Sequence, residues 1–168
     1  MSTSALTALF AYKAWASTEL FHALSKISAD LHPNALHSAI RTMNHMYVVD
    51  RIFRAHMLGE PHGYRTTQTA ETPKLSTLQA AVAATDAWYA QYLAQATPQQ
   101  LSETVCFTFT DGDTGCMTRE EMLLHVITHG GYHRGTLARL LNAVSIAPPR
   151  DLFTRYLHVA EPIRRELI

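Results

Sequence analysis

Four long segments of this chain carry apolar residues at the three- and four-residue spacing of an α-helix. They cover about residues 4–24, 35–58, 76–94 and 119–142. A helix with one apolar stripe is stable only when that stripe packs against another element. Because only modest loops join the four segments, we predict an all-α protein built as a four-helix bundle. A chain of 168 residues suits one domain, and we expect residues 1–168 to form it.

Capping signals and helix breakers give the boundaries of these helices. Ser2 or Ser4 can cap the first helix, and Gly59-Glu60-Pro61 ends the second. Thr118-Arg119-Glu120-Glu121 is a capping box, which places the start of the fourth helix there. No such signal marks the end of the third helix. The polar residues 61–73 predict a loop between the second and third helices.

The segment between the third and fourth helices predicts a small β-hairpin. Val105–Phe109 has the composition of a strand, Asp111–Asp113 that of a turn, and Cys116–Met117 gives a short return strand. After the fourth helix, Pro148-Pro149 prevents a continuation. Leu152–Leu157 predicts a short helix near the carboxyl end.

Charge balance and hydropathy exclude two classes of partner. Fourteen Lys and Arg residues balance fourteen Asp and Glu residues, and no basic run is dense enough to bind a phosphate backbone. We therefore expect no nucleic-acid partner. Polar residues such as Lys13, Asp50 and His125 interrupt the longest apolar stretches, whereas a membrane span needs about 20 mostly apolar residues. We therefore expect no membrane partner.

The amino terminus and the cysteine content predict a cytoplasmic protein. Residues 1–5 lack the charged-then-apolar layout of a secretion signal, and Cys106 and Cys116 are the only cysteines. These two side chains can face each other across the hairpin, but the register depends on which residues form the turn. In a reducing cytoplasm a disulfide between them is the less frequent outcome.

Three histidines of the fourth predicted helix recur at intervals of four residues. His125, His129 and His133 lie along one face, because each four-residue step advances only about 40° around the helix axis. His125 and His133 are separated by about 12 Å of helical rise, too far to share an ion that holds imidazole nitrogen at about 2.0–2.1 Å. One metal ion can therefore bind one adjacent pair, and the spacing leaves open which pair it binds.

A metal site with two ligands from one helix needs a third ligand from another element. His45 and His56 lie on the second predicted helix, and His45 has apolar neighbours along its face. A lone histidine there is more often a core residue with one hydrogen bond, but the histidine ladder favours a metal ligand. The sequence HGGYH lacks the glutamate of an HExxH metalloprotease, so we do not expect peptidase chemistry. A di-iron centre needs two Glu-x-x-His motifs, and only Glu19-Leu20-Phe21-His22 fits that pattern.

Two stretches of the chain resemble the DinB-like (DinB/YfiT) family. They are NHMYVVDRIF at residues 44–53 and HVITHGGYHRGTL at residues 125–137, and YKAWA at residues 12–16 is similar to the first-helix pattern of that family. The resemblance covers nearly the whole chain. It implies that His45, His129 and His133 bind a divalent metal ion, commonly zinc or nickel, with His125 as a neighbour of the site. It also implies an up-down-down-up bundle that forms a homodimer.

Three neutral histidines around one ion leave at least one coordination position for water or substrate, which is typical of a catalytic site. Some members of the resembled family bind a small thiol there and transfer it to an electrophile. The resemblance thus implies a metal-dependent enzyme of thiol-S-transferase or hydrolase type that acts on a small molecule. No general base is identifiable, so no catalytic residue is assigned. The alternatives are a non-catalytic metal-binding stress protein and a bundle that serves mainly in oligomer assembly.

Several residues near the candidate ligands have two interpretations. Gly130 and Gly131 cost helix stability, so they allow the close approach either of a ligand or of a packed protein group. Arg134 can pair with a substrate carboxylate, but a structural pair with a carboxylate such as Asp50 is more common. Three aromatic residues are expected in the core: Trp15, Trp88 and Tyr132.

Overall fold

The computed structural model of the protein describes residues 3–166. Its helices are α1 (Thr3–Leu24), α2 (Pro33–Leu58), α3 (Leu75–Gln95), α4 (Pro98–Ser102), α5 (Arg119–Ala143) and α6 (Phe153–Ala160). Its strands are β1 (Thr104–Thr108) and β2 (Thr114–Thr118), and a 3-10 turn covers Pro162–Arg165. The predicted all-α class is confirmed, with the hairpin directly before the last long helix and a short helix near the carboxyl end. The short α4 and the 3-10 turn were not predicted.

Two apolar clusters fill the opposite ends of the bundle. One cluster contains the carboxyl halves of α1 and α5 and the amino halves of α2 and α3. The other contains the amino halves of α1 and α5 and the carboxyl halves of α2 and α3. Helices α1 and α5 therefore run in one direction and α2 and α3 in the other, which is the predicted up-down-down-up order. Fully buried members are Leu24, Met43, Leu137 and Leu141 at one end and Leu6, Tyr89, Met122 and Val126 at the other.

A layer of buried charged side chains separates the two apolar clusters. This charged layer consists of Lys13 on α1, Asp50 on α2 and Asp86 on α3, each at most 6 % exposed. Nζ of Lys13 lies 2.8 Å from Oδ2 of Asp50 and 2.5 Å from Oδ1 of Asp86. Burial disfavours the charged form of Lys13, but the two carboxylates outweigh it and raise the pKa of the ammonium above its usual value. One cation thus joins three helices in the middle of the bundle.

The connection between α2 and α3 returns along the bundle, because these two helices are parallel. Residues 59–74 form neither helix nor strand, as their polar composition predicts. Nη1 of Arg41 donates to the carbonyl oxygen of Thr69 at 2.8 Å, and Nδ2 of Asn44 donates to Oγ1 of Thr69 at 2.9 Å. These two bonds hold the connection against α2, next to His45.

Two of the predicted helix boundaries have the expected chemistry. Gly59 ends α2 with φ of +66°, a left-handed conformation that glycine adopts without a steric penalty. At the start of α5, the backbone N–H of Thr118 donates to Oε2 of Glu121 at 2.7 Å, and Oγ1 of Thr118 accepts from the N–H of Glu121 at 3.1 Å. Ser2 lies outside the described residues, and Ser4 lies inside α1 instead of capping it.

The hairpin corrects the prediction about the cysteines. The register of β1 and β2 places Cys106 directly opposite Cys116, and their sulfur atoms form a disulfide. The physical reason is the turn: the N–H of Phe109 donates to the carbonyl oxygen of Asp113, which closes a loop that sets this register. Since disulfides are rare in reducing compartments, the cysteine content no longer supports the predicted cytoplasmic location.

Tyr132 was wrongly predicted to lie in the core. Its side chain is 76 % exposed, because it projects from α5 on the side away from the bundle. Trp15 and Trp88 are half-buried: Trp15 contacts Tyr156 of α6, and Trp88 stacks on Tyr92 with Arg54 over its ring. Within residues 3–166, no helix combines the length and apolar character that a membrane span requires.

Candidate metal centre

Helices α2 and α5 bring His45, His129 and His133 together in the middle of the bundle. Nε2 of His45 lies 3.0 Å from Nε2 of His129, although the two residues are 84 positions apart in the chain. The ring of His133 lies 4.7 Å from that of His45 and 4.5 Å from that of His129, measured between centroids. One nitrogen from each ring falls within 4.8 Å of the others, so the three side chains could hold one metal ion.

The separation of the ligand nitrogens of His45 and His129 fits one divalent ion. Two imidazole nitrogens can bind one ion at about 2.0–2.1 Å each. They are then about 2.9 Å apart if the nitrogen–metal–nitrogen angle is a right angle, and about 3.4 Å apart if that angle is tetrahedral. The observed separation of 3.0 Å between the Nε2 atoms of His45 and His129 lies within this interval. All three rings are half-buried.

The connection between α2 and α3 sets the tautomer of His45. Nδ1 of His45 lies 3.0 Å from the carbonyl oxygen of Thr67. Because a carbonyl oxygen only accepts hydrogen bonds, Nδ1 carries the hydrogen, and the neutral ring presents a lone pair at Nε2. Backbone carbonyls commonly orient metal-binding histidines in this way. This contact has no sequence signal, since any residue at position 67 supplies a carbonyl.

The environment favours the neutral form of the rings. Burial, together with the charges that His133 and His45 carry when protonated, lowers the pKa of His129 to about 3. Burial and His45 also lower the pKa of His133. Metal binding requires neutral imidazoles. His129 and His133 are therefore held in the neutral form that coordination requires.

The other two candidate histidines lie outside the group. The ring of His125 stacks on Phe53 with centroids 4.4 Å apart, and its centroid is 5.4 Å from that of His129. His56, near the carboxyl end of α2, stacks on Phe107 of β1 at 4.3 Å. The sequence spacing left two adjacent pairs open, His125 with His129 and His129 with His133. The pair that lies next to His45 in the structure is His129 with His133.

Arg134 pairs with Asp151 and not with Asp50, which corrects the predicted partner. Nε of Arg134 donates to Oδ2 of Asp151 at 2.7 Å, whereas Lys13 occupies Oδ2 of Asp50. The guanidinium folds back over Gly130, where an added Cβ would lie 3.2 Å from Nη1. The close approach that Gly130 permits is therefore that of the guanidinium of the same helix.

Asp151 joins the segment after α5 to the bundle beside His133. The hydroxyl of Tyr12 donates to Oδ1 of Asp151, and the Arg134 guanidinium lies over the Tyr12 ring, with Cζ 5.4 Å from the centroid. Nη1 of Arg134 is buried, and no partner among residues 3–166 reaches it. Neither Asp151 nor Lys13 was predicted from the sequence to pair with a charged side chain. For Lys13 the signal was present, since it is a charged residue among the apolar positions of its helix.

Comparison with known proteins gives one match. The sequence model described as "DinB family" matches residues 1–166, nearly the whole chain and all three histidines of the candidate centre. No curated protein and no solved structure matches the chain. The family match agrees with the resemblance found in the sequence.

Proposed function

Since the chain belongs to the DinB family, we propose that it binds one divalent metal ion through His45, His129 and His133 and activates a small thiol or water there. The observation that supports this most directly is the convergence of three imidazole nitrogens within 4.8 Å. The activity would be that of a thiol S-transferase or a hydrolase for small molecules. Three protein ligands and an open position are the usual arrangement of a catalytic metal site.

The ligand set favours an anionic fourth ligand. None of the three candidate ligands carries a charge when it coordinates, so the site would keep the full double charge of a divalent ion. A bound divalent ion would supply a Lewis acid that lowers the pKa of a thiol or of water and so gives a nucleophile at neutral pH. The protein then needs no general base for this activation, which fits the absence of a carboxylate from the described group.

The residues of this chain have four roles in the proposed reaction. His45, His129 and His133 hold the ion, and the carbonyl oxygen of Thr67 keeps Nε2 of His45 free to coordinate. The ammonium of Lys13 adds to the effects that disfavour the protonation of His129. The half-buried position of the rings reduces the access of bulk water.

The donor set also favours zinc or nickel over magnesium or calcium. Imidazole nitrogen is a good ligand for zinc and nickel, whereas magnesium and calcium prefer carboxylate, carbonyl and water oxygens. The group of three histidines contains no carboxylate. We therefore propose zinc or nickel as the resident ion.

The test uses the absorption spectrum of the nickel- or cobalt-substituted protein, purified without an affinity tag. Small thiols also react with disulfides, so the protein carries Cys106→Ser and Cys116→Ser. Adding cysteine or glutathione should produce a sulfur-to-metal charge-transfer band, because the thiol binds as thiolate. The band should be absent in a protein that also carries His45→Ala and present in one that carries His125→Ala.

Two results would change this proposal. If millimolar thiols leave the spectrum unchanged while acetate alters it, the transferase function is wrong and hydrolysis remains. If the protein carries no stoichiometric divalent ion after purification and takes up none on dialysis, metal-dependent function is wrong altogether.

A further inference from the structure

The Cys106–Cys116 disulfide lies on the outer face of the hairpin. In β1 and β2, residues alternate between exposed and half-buried positions, and both cysteines are exposed. The inner face carries Val105, Phe107 and Met117, which pack against the apolar cluster at this end of the bundle. The disulfide therefore adds nothing to the apolar core, although it cross-links the two strands.

We propose that Cys106 and Cys116 form a redox centre that exchanges with low-molecular-weight thiols while the protein remains folded. Thiol–disulfide exchange requires a thiolate to reach a disulfide sulfur, so exposure of the sulfur controls the reaction. A shallow depression surrounds the disulfide, lined by Cys106, Phe107, Thr108, Thr114, Gly115 and Cys116. A small thiol can enter it without any movement of the helices.

The exchange balances with two equivalents of the small thiol. A thiolate attacks Sγ of one cysteine, the Sγ–Sγ bond breaks, and its electron pair leaves on the other Sγ as a thiolate. A second small thiolate attacks the small-molecule sulfur of this mixed disulfide and releases the remaining cysteine as a thiolate. Two small thiols are thereby oxidised to one small disulfide, the protein gains two electrons, and both cysteines take up protons from water. A small disulfide drives the same steps in reverse.

The pair cannot reshuffle with any other cysteine, because the chain contains only Cys106 and Cys116. Reduction therefore has one product within a single chain, the dithiol. Reduction is also confined to the hairpin: Nε of Arg119 donates to the carbonyl oxygen of Met57 at 3.1 Å, and its guanidinium pairs with Glu103. These contacts keep the base of the hairpin attached to α2 and α5 when the cross-link is open.

The redox state should change how the hairpin packs on α2. A two-stranded hairpin is marginally stable without further support, and a cross-link restricts its open forms. Phe107 on the inner face stacks on His56 at 4.3 Å and lies 6.1 Å from Phe53. Phe53 in turn stacks on His125, the neighbour of His129. Reduction should thus loosen a set of rings that leads toward the candidate metal centre.

The test uses the metal-free full-length protein, so its outcome does not depend on the proposed metal function. The oxidised protein is incubated with millimolar reduced glutathione under native conditions, and the thiols are alkylated and counted by mass spectrometry. We expect two alkylated cysteines, and restoration of the disulfide by oxidised glutathione. Hydrogen exchange of residues 104–118 should become faster, whereas α1, α2, α3 and α5 should keep their protection.

A protein with Cys106→Ser and Cys116→Ser is the matched control, and its hydrogen exchange should not respond to glutathione. The proposal is wrong if the disulfide resists reduction until denaturant is added. It is equally wrong if the long helices lose protection together with the hairpin, because exchange would then require global unfolding. Unchanged protection of residues 104–118 in the fully reduced protein would overturn the effect on packing.

Discussion

The carbonyl oxygen of Thr67 lies 3.0 Å from Nδ1 of His45, so a residue without regular secondary structure orients a candidate metal ligand on α2. The contact uses the backbone, and the position of that backbone depends on Thr69, whose hydroxyl accepts a hydrogen bond from Asn44. The geometry of the site therefore depends on a side chain that does not touch it.

We expect Thr69→Val to weaken metal binding, because it removes the hydroxyl that fixes the connection while keeping the shape of the side chain. Loss of a partner that orients a metal-binding histidine typically costs about 10–100-fold in affinity. Thr67→Val is the control, since it leaves the carbonyl in place. Competition with a chromophoric chelator measures both affinities, and equal affinities for the two variants would contradict this account.

The purified protein should hold one divalent ion per chain, and His45→Ala, His129→Ala and His133→Ala should each abolish tight binding. His125→Ala should retain most of it, because the His125 ring stacks on Phe53 outside the group. Elemental analysis after gel filtration gives the stoichiometry. Retention of the ion in His133→Ala together with its loss in His125→Ala would show that the other adjacent pair binds the metal.

Lys13→Met should destabilise the protein by about 3–5 kcal/mol, because it leaves the buried carboxylates of Asp50 and Asp86 without their cation. Lys26→Met is the control at an exposed position, where a change of about 0.5 kcal/mol or less is usual. Urea denaturation followed by circular dichroism measures both free energies of unfolding. Equal stabilities of the two variants would show that the charged layer contributes little.

Gly130→Ala and Gly135→Ala should have different effects, although both replace a glycine within α5. An alanine in a helix is usually more stable than glycine by about 0.5–1 kcal/mol, and Gly135 has open space around its Cβ position. At Gly130 the new Cβ would lie 3.2 Å from Nη1 of Arg134, which Asp151 holds in place. We expect Gly135→Ala to raise the unfolding midpoint in urea and Gly130→Ala to lower it. If both substitutions raise the unfolding midpoint, the guanidinium of Arg134 moves aside freely and the account of Gly130 is wrong.

Glu121→Gln tests the capping box at the start of α5 through its pH dependence. The backbone N–H of Thr118 binds the carboxylate and lowers the pKa of Glu121 below its usual value of 4.5. A depressed folded-state pKa gives stability that is complete above the unfolded-state pKa and is lost as the pH falls through the folded-state value. The wild-type protein should therefore exceed the variant in unfolding free energy at pH 7, and the difference should shrink below about pH 4.5. A difference that stays constant from pH 7 to pH 3 would contradict the role of the charge.

Periodicity and capping chemistry predicted the helices because both are local. The spacing of apolar residues located α2 to within two residues of its start, and Thr118 with Glu121 located the start of α5. The sequence pattern suggested His45 as a third ligand, but only the family resemblance selected His129 and His133 as its partners, since spacing within one helix cannot choose between the two adjacent pairs. The partners of Arg134 and Lys13 were missed because they depend on how helices face each other, and the disulfide was misjudged because hairpin register depends on the geometry of a loop.

The charged layer also fixes how far α1, α2 and α3 are displaced along their axes relative to one another. One helical turn rises about 5.4 Å, and apolar side chains such as leucine and methionine tolerate exchange with one another when packed helices slip by that distance. A slip of α1 by one turn would carry the ammonium of Lys13 away from Asp50 and Asp86 and insert it into an apolar cluster. Apolar packing alone would permit several positions of α1 along its axis. The ion pairs of the charged layer therefore select one of them. In the observed arrangement His45 of α2 lies at the level of His129 on α5, where the candidate ligands meet.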